Sequence, residues 1–237
     1  MNRTLVVAFW RQRFMSPFRM AFLLFIVGVP LLITAAMPQA GFSIAGKLTG
    51  VALVFAIGII GQDLSSGVLQ LLFARPVRRS EYVLSRWFAA GSMSAVIGVG
   101  QAALVVLIMT VRGAAPGAPE ALTFVGERLF EGFGIAAVFV LLSTLVNGVG
   151  DVALWIGVQF VCGIGGMLAQ AKGWTWLARA AGELSGSMNP NLPIAQIAGG
   201  LAPWAPASAY LSTVTLCLAL AVLVMNRREL SYASSNG

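Results

Sequence analysis

The chain contains no histidine, and this absence removes whole classes of chemistry. A Ser–His nucleophile pair and a histidine-bound catalytic metal both require imidazole. Intramembrane proteolysis by paired aspartates is excluded on other grounds, because Asp63 and Asp151 both fall at predicted ends of apolar segments. Cysteine is nearly absent: Cys162 and Cys217 lie in apolar stretches, so no disulfide framework is implied. Charge is scarce too. Only 10% of residues are charged and 58% are hydrophobic, whereas soluble domains are roughly half apolar and a quarter charged. A soluble core has no use for so much apolar sequence, so the composition specifies a polytopic membrane protein. The net charge of +7 could suit nucleic acid. However, the arginines cluster at predicted membrane ends, and no soluble domain exists to present a basic face. No nucleic acid partner is expected.

Hydropathy specifies an all-α fold of six transmembrane helices, at roughly 20–36, 46–62, 87–111, 132–150, 152–170 and 206–225. Each approaches the ~20 residues that cross a ~30 Å hydrocarbon layer. The first contains Pro30, and the third is long enough to tilt or project. Small residues recur at packing intervals, as in Gly46-x-x-x-Gly50 and Gly91-x-x-x-Ala95, which lets helices approach closely. Residues 1–18 form an interfacial amphipathic helix: Leu5, Val6, Phe9, Trp10 and Phe14 share one face, opposite Thr4, Arg11 and Gln12. Arg13 falls on the apolar side and is expected to snorkel. Thr34-Ala35-Ala36 resembles a signal-peptide cleavage site, but the long aromatic region before it argues for retention.

Basic residues set the orientation. Arg3, Arg11, Arg13, Arg19, Arg75, Arg78, Arg79, Arg86, Arg227 and Arg228 fall on one side, against Lys47, Arg112, Arg128, Lys172 and Arg179 on the other. Both termini are therefore expected in the cytoplasm. On the outer side, 112–131 reads as a loop. The segment 171–205 reads as an extracytoplasmic stretch, broken at Asn189-Pro190-Asn191, whose apolar Ile194–Leu201 lies flat or re-enters. The spans contain almost no ionisable side chains, which mildly favours an apolar or neutral cargo.

The polar stretch 63–86 organises the chain. Leu64, Val68, Leu69, Leu71, Leu72 and Phe73 make a short helix over 64–74 largely apolar, with Asp63 as its cap. Pro76 ends the helix at Arg75, and Arg78, Arg79 and Arg86 follow. The run from Gly67 to Arg79, with Tyr82 and Arg86, resembles the first cytoplasmic loop of ABC-2-type transporter permeases. Many members carry a carboxylate where this chain has Gln70. The resemblance implies a coupling helix docked on a separate ATPase subunit. The residues carried over to that loop are Asp63, Gly67, Leu69, Leu72, Arg75, Pro76, Arg79 and Tyr82. Asn147 and Asp151, at the turn between the fourth and fifth spans, would cap the turn or form a second inner contact.

The resemblance further implies the permease subunit of an ATP-driven exporter in a bacterial cytoplasmic membrane, paired with a second permease chain and surrounded by lipid. Such a subunit is not itself an enzyme and binds no cofactor, since the partner binds the ATP. Gly41 to Leu48 nearly spells a phosphate-binding loop, but Leu48 stands where Ser or Thr is required. The nine methionines are scattered filler with no metal-pairing interval. Two other classes use the same six helices without ATP: a membrane scaffold or channel-like protein, and a secondary carrier.

The charge bias gives a direct expectation. With Cys162 and Cys217 replaced, Ser80→Cys should be shielded from an impermeant thiol reagent in intact cells, and Ala118→Cys should react. Labelling at position 80 from outside would reverse the orientation.

Overall fold

The structure is a computed structural model that describes residues 3–45, 49–69, 78–198 and 204–227. It is all-α, with no strand among the described residues. In chain order the helices are α1 (Arg3–Phe14), α2 (Pro17–Ala36), α3 (Gly41–Ile44), α4 (Thr49–Ala56), α5 (Gly61–Ser65) and α6 (Arg79–Val111). They continue with α7 (Ala118–Leu145), α8 (Gly150–Ala171), α9 (Thr175–Ser187), α10 (Ile194–Ala198) and α11 (Trp204–Arg227). Five helices are long and apolar enough to cross a membrane, and the pair Pro38–Ile44 with Thr49–Ser65, bent by 45°, makes a sixth crossing if counted as one span. The chain is a multi-pass helical membrane protein.

The bundle is built around α7, whose apolar window is the most buried of the five. It lies against α6, and small residues close the gap. A Cβ on Gly132 would stand 2.8 Å from the Ala95 backbone nitrogen, and one on Gly91 would meet the Phe133 ring. The Trp87 indole donates to the Phe133 carbonyl at 3.0 Å, fixing the register of the pair. At 33 residues, α6 is about 50 Å long. It therefore exceeds the ~30 Å that a hydrocarbon layer requires, and its N-terminal half carries Arg79, Ser80, Glu81 and Arg86. The amphipathic α1 packs there, burying Val6 and Phe9, while the Trp10 indole donates to the Ala89 carbonyl at 3.1 Å. By contrast, α2 and α8 bury little within the chain and present long apolar faces.

Two expectations from sequence need correction. The anticipated loop over 112–131 shrinks to a few residues, because α7 begins at Ala118. Pro119 suits a first helical turn, and Glu120 favours the positive end of the helix dipole. The Arg128–Glu131 ion pair at 2.7 Å then neutralises charges that had read as loop. The second span, expected to be continuous over 46–62, breaks instead after Ala56 and resumes at Gly61.

The described residues of the segment 171–205, which run to 198 and resume at 204, fold back onto the bundle. Helix α9 turns back along α8: Ala181 packs on Gly166, Ser185 exchanges hydrogen bonds with Gln159, and the Trp155 indole reaches the Met188 carbonyl at 3.3 Å. Successive contacts thus step down α8 toward its start. The tip, Asn189-Pro190, meets the Thr49 hydroxyl and the small face of α7 at Gly134. The chain then returns through α10, where the Ala195 N–H approaches Glu127 at 3.5 Å. Gly134 permits this seating, because a Cβ there would collide with the Pro190 carbonyl and crowd the Tyr210 ring. Gly134→Ala should therefore push the tip off α7 and cost about 1–3 kcal/mol. Thermal unfolding of the purified chain would measure this, and an unchanged midpoint would contradict the seating.

Candidate functional site

The break in the second span creates a local problem that the surrounding helices solve. Residues 57–60 leave the helix, and Gly58 adopts φ +60°, a left-handed conformation suited to glycine. Backbone groups released this way need partners, because little water is available to satisfy them. Arg13, from α1, donates to the Ile57 carbonyl at 2.7 Å and the Gly58 carbonyl at 3.2 Å. Asp151, in the first turn of α8, accepts from the Gly58 N–H at 2.8 Å. Ser143, from α7, accepts from the Ile60 and Gly61 N–H groups at 3.0 and 2.8 Å. The Gly148 N–H donates to the Gly61 carbonyl at 2.9 Å.

A second layer of charge continues beneath the break. Asp63, in α5, accepts a 2.5 Å hydrogen bond from the Tyr82 hydroxyl and forms an ion pair with Arg86, both on α6. The Arg13 and Arg86 guanidinium groups also lie over the Phe9 ring, at 4.7 and 4.8 Å from its centroid. Arg13, Asp63, Arg86 and Asp151 are all buried, and their charges balance two against two. Burial, followed by the charges of Arg19 and Arg86, pushes the Arg13 guanidinium down to about 9, against the opposing pull of Asp63 and Asp151. It therefore remains charged at neutral pH. The Nε atoms of Arg13 and Arg86 are buried without a hydrogen-bond partner, so the arrangement is tight but not fully satisfied.

This geometry redistributes the residues singled out from sequence. Asp63 does not cap a helix. It sits inside α5, whose N-cap is Ile60, because its carboxylate is taken by Tyr82 and Arg86. The expected helix over 64–74 is interrupted at Ser66-Gly67, where Gly67 takes φ +71° and closes α5. Leu69 and Tyr82 are buried in the core, and Val68 is exposed. Arg79 donates to the Met225 and Asn226 carbonyls at 2.7 and 3.1 Å, holding the end of α11. Leu72, Arg75 and Pro76 lie outside the described residues. Asp151 is fully buried and is thus not an external contact; its partners are Gly58, Val152 and Ser143. Asn147 is exposed at the turn.

A comparison with models of known protein families finds no match, and none of the curated proteins matches the sequence.

Sequence reasoning missed Arg13 and Ser143 as members of the site. Arg13 does not snorkel but is buried. Its position on the apolar face of α1, against two aspartates in an almost uncharged chain, was the available signal. The described residues contain no group of three or more His, Cys, Asp or Glu side chains able to hold a metal ion.

The hairpin formed with α9 frames a second feature. Between α9, the tip and α11 lies an open cavity of about 270 Å³. Glu183 stands at its edge, exposed within the chain. Its level along α8 follows from its neighbours, since Ala181 faces Gly166 and Ser185 bonds Gln159 near the middle of α8. Glu183 therefore stands level with the middle of α8, on a helix too short to count as a span.

The ion network makes a prediction about stability. Asp63→Asn leaves the Arg86 guanidinium buried without its counter-charge, which should cost about 3–5 kcal/mol. Adding Arg86→Met should recover part of that loss, as read by thermal melts of the single and double variants. A double variant less stable than Asp63→Asn alone would mean that the pair is not the coupled unit described.

Proposed function

We propose that the chain is the permease subunit of an ATP-driven ABC-2-type transporter, working as an exporter with a second permease chain, identical or related. A separate ATPase subunit would bind and hydrolyse the ATP. The chain would lie in a bacterial cytoplasmic membrane with both termini in the cytoplasm, as the basic-residue bias supports. The reading begins from the resemblance over Gly67 to Arg86. The observation that carries it is mechanical: the segment entering this loop is clamped to the rest of the bundle. Asp63 is held by α6, and the break just before it is held by α1, α7 and α8. A push on the loop would reach four helices through short polar contacts rather than dissipating in a flexible link.

ATP-driven closure of the partner would then shift α5 against the Gly58 break and tilt the helices attached to it. Directionality needs only a partner that binds the two arrangements unequally. The exposed Glu183 fits a path between two permease chains, because a carboxylate level with the middle of a span faces water or protein rather than lipid. The same carboxylate favours a second reading, an ATP-independent secondary carrier, which uses such a group for coupling. A scaffold or channel-like role has no comparable support.

Because Leu69 is buried, Val68 is the better probe of docking. Val68→Asp should leave insertion intact and reduce co-purification of the ATPase several-fold, while Leu69→Asp should lower the yield of folded chain. Retention of the ATPase by Val68→Asp at wild-type level would count against the exposed part of the loop as the docking surface. Transport that persists without any ATPase and follows a proton gradient would favour the carrier.

A further inference from the structure

The polar side chains that line the cavity beside the tip offer mainly hydrogen-bond acceptors, set among three prolines. All three hydroxyls among its described lining residues have committed their protons to backbone carbonyls. Tyr210 donates to Phe130 at 2.7 Å, Thr213 to Ala209 at 2.8 Å and Ser187 to Leu184 at 2.8 Å. What each hydroxyl still offers the cavity is lone pairs. Pro190, Pro193 and Pro206 also line it and have no N–H to give. Glu183 adds a carboxylate, which forms no ion pair among the described residues although Arg179 lies one turn earlier on α9. Asn191 contributes the one side-chain amide. Such a lining suits a ligand that brings both donors and positive charge. An anion would meet the carboxylate and find few donors, while a neutral hydrocarbon would strand the polar lining.

We infer that this cavity binds an organic cation bearing an ammonium group, with Glu183 as its counter-ion and the Ser187, Tyr210 and Thr213 oxygens as hydrogen-bond acceptors. The volume of about 270 Å³ fits the charged end of an amphiphile better than a bare metal ion. The open side leaves room for an apolar remainder to lie along α11. Placing the cavity on a transport path rests on the permease reading; binding does not. The assignment narrows the cargo from the apolar or neutral molecule suggested by composition to a cationic one.

The test uses the full-length chain in lipid nanodiscs and dansylcadaverine, a fluorescent primary alkylammonium. The N-acetylated dye and a dansyl carboxylate serve as neutral and anionic controls, and empty nanodiscs correct for partition into lipid. The ammonium dye should bind saturably, and Glu183→Gln should weaken it at least about tenfold, the range for losing one charge-assisted bond. Glu183→Asp should retain most of the affinity, and Arg179→Gln should strengthen it by removing a nearby like charge. Thr213→Val should weaken it by a smaller factor. Glu183 is exposed, so Glu183→Gln should purify and melt as the parent does. Equal affinity for the ammonium and its acetylated form, no saturable binding, or no loss in Glu183→Gln would each overturn the assignment. Because binding is read on the chain alone, its failure is distinct from failure of ATPase co-purification, which tests the permease reading.

Discussion

The bundle depends on how it satisfies a gap in its second span. Four residues leave the helix where little water is available, and their freed backbone groups cannot remain bare. Arg13, Asp151 and Ser143 fill the gap from three different helices. Asp63 and Arg86 then hold the resumed helix to α6. Each charge alone would be expensive at that depth, and the set is tolerable only because the opposite signs are interleaved and bonded to backbone dipoles. The amphipathic α1 is thereby part of the bundle. Its arginine belongs to the second span as much as to the first helix.

The two ends of the molecule are held together in different ways. Around the break, polar contacts with defined geometry fix the arrangement. Along α6 and α7, close approach of small residues does the same work, with Gly132 lying against the Ala95 backbone. The hairpin formed with α9 is only lightly enclosed. Helix α9 has no buried residue and is tied down by hydrogen bonds to α8 and by its tip on Gly134. A segment with few buried contacts and a polar, charged edge is suited to changing its neighbours.

Much of this fold was legible in the sequence. The scarcity of charge and the lengths of the apolar runs specify an all-α membrane bundle, and α2, α6, α8 and α11 lie close to their expected positions. The break at Ile57-Gly58-Ile59-Ile60 was not legible, because those residues are as apolar as the helix they interrupt. Leu69 read as one stripe of a docked helix, but Gly67 turns the chain and sends that side chain into the core. Glu183 falls in the segment 171–205, which reads as an extracytoplasmic stretch; only the pairing of α9 with α8 shows its level along that helix. In each case the missing information was a contact between distant parts of the chain, which local periodicity does not encode.

The Arg79 clasp on the last carbonyls of α11 has a consequence for biogenesis. The residue that opens α6 is made well before the groups it holds. A nascent chain inserting helix by helix cannot complete this clasp until α11 has entered the membrane. The surface around the start of α6 thus reaches its finished form only after α11 has followed it, so a partner that recognises that surface would distinguish a chain that holds α11 from a fragment stalled before it.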